Sequence, residues 1–201
     1  MALTKVEADG INLADTFAFT GTVSGANTYV SLLNVDTISN VSSYHVNNTY
    51  INDTYDFYFV SAFFKPATDG VKLYSRVFVG GAVQDGSIYG WETSSPVHGN
   101  TNINGTTYFQ YTHDNTGNGT GEGVHFHNHY YANNEKTNMI FWHGSTSHLA
   151  TNGSHVGSTT SGASGTPLTM YQYSLVGMDF YFSSGNISTG RINVYGIKGY
   201  V

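Results

Sequence analysis

A chain of 201 residues is long enough to bury a real core, and its length suits one main domain. Charged residues are only 10% and the net charge is −6, with seven Lys and Arg in all, so no basic stripe is present to bind nucleic-acid phosphates. Aromatics reach 15%, which excludes a disordered chain, and the lack of Cys excludes disulfides and thiolate metal sites.

The opening MALTKVEADG carries charges where a secretion leader needs an apolar run, so synthesis in a cytoplasm is expected. No run approaches the length of a transmembrane helix, so no membrane insertion is expected. Seven Asn-x-Ser/Thr sequons, at Asn40, Asn47, Asn52, Asn104, Asn118, Asn152 and Asn186, are read as by-products of a Ser/Thr/Asn-rich chain.

Residues 1–26 read as an attachment arm. In INLADTFAFTGTV, Ile11, Leu13, Phe17 and Phe19 fall on one parity, which predicts a strand with one apolar face that docks on a neighbour. TGTVSGAN reads as a joint, and residues 27–201 as the domain. Within the domain NTYVSLLNV comes first, then a polar stretch, SNVSSYHVNNTYINDT. YDFYFVSAFF is apolar on both faces, as a central strand is. KPATDG is a turn, with Asp69-Gly70 tolerating positive φ, and VKLYSRVFVGG is expected as the partner strand. SIYGWE, TTYFQYTH, EGVHFHNHYY and TNMIFWHG are further strands. HLATNGSHVGSTTSGASGTP reads as a long loop, and MYQYSLVGMDFYFSS and GRINVYGIKG close the chain. No 3.6-residue apolar period persists, so no helix is predicted. Eight to ten strands between Gly-rich turns predict an all-β, antiparallel jelly-roll β-sandwich with an extended N-terminal arm.

Two stretches resemble a known family. Residues 55–81, YDFYFVSAFFKPATDGVKLYSRVFVGG, join an aromatic strand, a Pro-x-Thr-Asp-Gly turn and a strand with a central Arg. Residues 175–200, LVGMDFYFSSGNISTGRINVYGIKGY, pair an aromatic strand with Ser-Gly-Asn-Ile and a last strand ending in Tyr-Gly-Ile-Lys. Together they resemble the jelly-roll (concanavalin-like) virion structural proteins of tailed bacteriophages, of the marine-phage fibre or decoration type. The resemblance covers about half the chain. It implies a concanavalin-like sandwich, a virion location and a homotrimer, with no shared catalytic set. Physics accounts for the closing motif as fold grammar. Ser184-Gly185-Asn186 is a tight turn, Ile192 and Val194 share a face opposite Tyr195, and Gly196 marks a bulge or a close backbone approach.

GEGVHFHNHYYANN places His125, His127 and His129 on one side of a strand. At roughly 3.3 Å per residue the outer pair is about 13 Å apart, too far for the three to share one ion comfortably. Three chains about a threefold axis would gather six imidazoles, as the resemblance to iron-bearing phage fibre tips suggests. The reading taken is a strand face at a subunit contact, with no metal and no cofactor. Glycan hydrolysis needs paired carboxylates about 5–10 Å apart. Asp69 and Asp85 are better explained as turn residues, and no G-x-S-x-G elbow, P-loop or HExxH appears, so an enzyme is not expected. Trp91, Tyr130, Tyr131 and Trp142 are candidate glycan contacts, against the competing reading that such rings are core or interface residues.

The expectation is a non-enzymatic bacteriophage virion surface protein of the capsid decoration or head-fibre type. It is a homotrimer held by its arm to a major capsid protein or a tail component. The alternative is a tail fibre or receptor-binding protein that recognises host surface glycan.

Overall fold

The computed structural model describes residues 30–52, 54–79, 81–96, 99–131, 140–164 and 175–198. Ile11, Leu13, Phe17 and Phe19 lie outside the described residues, as do residues 27–29 at the start of the expected domain. In chain order the strands are β1 (Val30–Val41), β2 (Tyr44–Val46), β3 (Phe57–Pro66), β4 (Leu73–Val79), β5 (Ala82–Val83), β6 (Tyr89–Ser95) and β7 (Gly99–Thr106). There follow β8 (Phe109–Gln110), β9 (Val124–Tyr131), β10 (Ile140–Leu149), β11 (His155–Ser164), β12 (Leu175–Phe182) and β13 (Ile187–Ile197). Among the described residues there is no helix.

Two antiparallel sheets form a sandwich. The large sheet has eight strands in the order β1-β13-β3-β9-β10-β11-β6-β7. The small sheet runs β2-β12-β4-β5, with β8 paired to β4. With β5 to β7 and β10 to β11 set aside, the remaining strands order as β1-β13-β3-β9 in one sheet and β2-β12-β4-β8 in the other. Each adjacent pair along the chain, β1/β2, β3/β4, β8/β9 and β12/β13, therefore has one strand in each sheet.

Period-two patterning positions the core. In β3, Tyr58, Val60, Ala62 and Phe64 are buried while Phe57, Phe59, Ser61 and Phe63 face outward half-covered. In β4, Leu73, Ser75, Val77 and Val79 point inward. The turn between them works as expected, with Gly70 at φ +74°. However, β4 is not the ladder partner of β3. β3 pairs with β13 and β9, and the chain crosses to the other sheet at this turn. Each strand buries its apolar row against the facing sheet instead of beside its neighbour.

Rings dominate the interior. Trp142 packs 4.8 Å from Tyr111 and 5.0 Å from Phe109, centroid to centroid, and Phe126 packs 5.3 Å from Phe180 across the sandwich. Each fully buried ring contributes about 1.5–3 kcal/mol of apolar burial. A hydroxyl chain runs through this core. Tyr111 bonds Ser75 at 2.8 Å and Tyr130 at 2.5 Å. Burial pushes the Tyr130 hydroxyl well above its ordinary value and the Tyr111 hydroxyl up to about 12, so both phenols stay neutral and able to donate.

Four strands lie where the sequence predicts none, the short β2 and β5 and the longer β7 and β11. β11 occupies half of the expected loop 148–167, and β7, GNTNINGT, has no apolar alternation. In β11 the inward positions are Val156, Ser158 and Thr160; bonding accommodates the Ser158 hydroxyl, while Thr160 Oγ1 is buried without a partner among the described residues. Thr146 and Ser158 share a 2.6 Å bond, and Thr146 donates to the Tyr111 carbonyl at 2.9 Å. The ladder to β10 and β6 satisfies the backbone without needing large apolar side chains. Conversely, TTYFQYTH holds only the two-residue strand β8. The closing motif follows its reading. Gly185 has φ +72°, and a Cβ on Gly196 would lie 2.5 Å from the Tyr55 ring, a close approach that excludes a side chain.

Candidate functional site

The outer face of the large sheet gathers most of the histidines. Directly opposed residues in a ladder share a face, so the register lays out rows across the strands. One row runs Leu32, Tyr195, Phe59, His129, His143, Ser161, Glu92 on β1, β13, β3, β9, β10, β11 and β6. The next runs Asn193, Ser61, His127, Ser145, Thr159. A third runs Arg191, Phe63, His125, Ser147. At the other end Val30, Ile197, Phe57 and Tyr131 align.

His125, His127 and His129 do lie on one face, each against a ring of β3. Phe63 lies 4.5 Å from His125, and Phe59 lies 4.8 Å from His129 and 6.0 Å from His127, the last pair nearly parallel at 6°. Phe59 also meets Tyr195 at 5.7 Å, and Phe57 meets Tyr131 at 5.8 Å. His143 joins by register, 5.3 Å from His129. That residue reads from sequence as one of several dispersed histidines. The signal for it is the pairing of β9 with β10, which places it opposite His129. Burial, and secondarily the charge on His143, lower the pKa of His129.

A shallow groove of about 350 Å³ lies beside these rings, lined by His127, His129 and His143 with Ser145, Thr159 and Ser161. Among the described residues no group of three His, Asp or Glu is close enough to hold a metal ion.

Three candidate glycan contacts sit elsewhere. Trp91 is 3% exposed, Tyr130 is 0% and Trp142 is 1%. They alternate with outward residues on β6, β9 and β10 and face the small sheet, so they offer no open ring to a sugar. Packing rings into the sandwich core stabilises them there more than solvent exposure would. Tyr131, at 44%, is the one of the four that reaches the surface, at the end of the histidine face. The carboxylates serve local structure. Asp69 accepts the Asn118 backbone N–H at 3.3 Å, Asp36 accepts the Tyr44 hydroxyl at 2.9 Å, and Asp179 is half-buried on the small sheet with its pKa raised by that burial.

No family model, curated protein or solved structure matches the chain.

Proposed function

We propose that this is a non-enzymatic surface protein of a tailed-bacteriophage virion, of the capsid decoration or head-fibre type, assembled as a homotrimer and tied to the particle by residues 1–26. The supporting observation is the character of β1, the first described strand. β1 is an edge strand of the large sheet, and it opens with Val30, Leu32 and Val35 exposed. The described residues therefore begin at an apolar sheet margin. Edge strands of this kind are where further chain or another subunit adds. The jelly-roll reading is supported by the eight-strand order, in which consecutive strands, apart from the paired β4 and β8, alternate between sheets.

A second reading, a tail fibre or receptor-binding protein for host glycan, is supported by the groove beside His129 and by Tyr131 at its rim. Antibody labelling of intact particles under negative-stain electron microscopy separates the two. Label over the head is expected, together with loss of binding to stripped capsids when residues 1–26 are deleted. Label confined to the tail favours the second reading, and unlabelled particles contradict both.

A further inference from the structure

We infer that the apolar half of the large sheet's outer face is the surface on which copies of this chain pack against one another. This rests on the proposed homotrimer and names the surface that would hold it.

The outer face is divided along one line. On β1, β13, β3 and β9 it carries Leu32, Tyr195, Ile197, Phe57 and Phe59, with the imidazoles at its border. On β11, β6 and β7 it carries Thr159, Ser161, Glu92, Ser94 and Asn102. One backbone ladder runs through both halves, so the difference lies in the side chains alone. The hydroxyl half needs only water, whereas the apolar half carries rings that touch one another and lack a covering layer among the described residues. His125, His127 and His143 are exposed on it.

A bulge extends the apolar half to the sheet edge. Register shifts between Leu32 and Asn34, which returns Val35 to the same face as Leu32. A strand without that extra residue would turn one of the two inward.

Size and charge favour another copy as the occupant. Four strands at about 4.8 Å and eight residues at about 3.3 Å give a face of roughly 500 Å². That is within the range of the largest apolar patch on an ordinary monomer, which is often functional. It is over half of the roughly 800 Å² each partner contributes to a standard interface. Charged and titratable neighbours are few: Arg191 beside Phe63, Lys65 next along the outward row of β3, Glu92 on the hydroxyl side, and His155, which bonds Ser147 at 2.7 Å. A face centred on rings, with its two permanent cations gathered at one end, meets its own copy with little like-charge repulsion, and it offers an anionic surface only those two cations. An apolar centre with a polar rim is also the anatomy of subunit contacts.

The test is sedimentation of the full chain at pH 8. His127→Glu and Tyr131→Glu each place a carboxylate on an exposed position of the face, so the fold should persist, as near-ultraviolet circular dichroism will show. Val83→Glu, on the small sheet, is the control. The wild type and V83E are expected to sediment as the assembly and the two face variants as monomers, a threefold fall in mass from a trimer. Face variants that keep the wild-type mass overturn the inference and leave the homotrimer standing. A monomeric wild type overturns both. Face variants that keep their mass but lose retention on a host-glycan column assign the face to sugar and overturn the inference.

Discussion

The two sides of β9 show the same backbone put to opposite uses. Val124, Phe126, Asn128 and Tyr130 point inward and are buried, while His125, His127 and Tyr131 point outward and are exposed, with His129 half-covered between them. The inward row is enclosed by the small sheet and fixed by shape. The outward row lies on rings of β3 and is free to change with little effect on the fold. Residues that look alike in sequence, such as Tyr130 and Tyr131, therefore answer to different constraints, and substitutions on the two sides should separate cleanly.

The largest effect belongs to the inward side. Trp142→Ala removes a ring that contacts Tyr111 and Phe109, and about 3–5 kcal/mol of stability should go with it in denaturant unfolding. A loss below about 1 kcal/mol would mean that Trp142 is not core. Next comes Gly144→Ala. A Cβ there would lie 1.9 Å from Asn128 Oδ1 and 2.0 Å from the His127 carbonyl oxygen, so the strand must shift. About 1–3 kcal/mol of destabilisation is expected. Gly157→Ala, where nothing lies within 4 Å, should be close to neutral in the same assay. Equal losses for the two glycines would break the account of the β9–β10 approach.

Tyr130→Phe removes the hydroxyl that bonds Tyr111 and accepts from Asn128, at about 1–3 kcal/mol for the buried partner left behind. On the outward side, His127→Ala should change stability by no more than about 0.5 kcal/mol. A loss as large as that of Tyr130→Phe would make the outer row structural.

Acid should act through the outward side. The lowered pKa of His129 means that the unfolded chain binds its proton before the folded one does. This contribution to stability is intact above about pH 6.5 and declines as pH falls through that value. Melting temperature should therefore drop between pH 8 and pH 5, with a shallower drop in His129→Gln.

Alternation made the sandwich, the inward row of β3 and β4, the Gly70 and Gly185 turns and the single face of His125, His127 and His129 legible in the sequence. Pairing was not legible. A strand's own pattern says which face is apolar but not which neighbour lies beside it. Hence β4 read as the partner of β3, and His143 stayed unconnected to His129. β7 and β11 were hidden because Ser, Thr, Gly and Asn strands take their order from a ladder supplied by β6 and β10. Trp91 and Trp142 kept two readings because the ring type suits a sugar platform and a core alike, and only register against the facing sheet separates them.

Histidine footprinting tests the central claim most directly. The full chain would be treated with a histidine-selective acylating reagent at the concentration where it assembles and again after dilution, with modified sites located by mass spectrometry. His127 and His143 should be protected in the assembled protein and released on dilution, while His45, exposed on β2 of the other sheet, should react alike in both. Reaction of His127 and His143 at the rate of His45 under both conditions would contradict the claim that copies meet on this face.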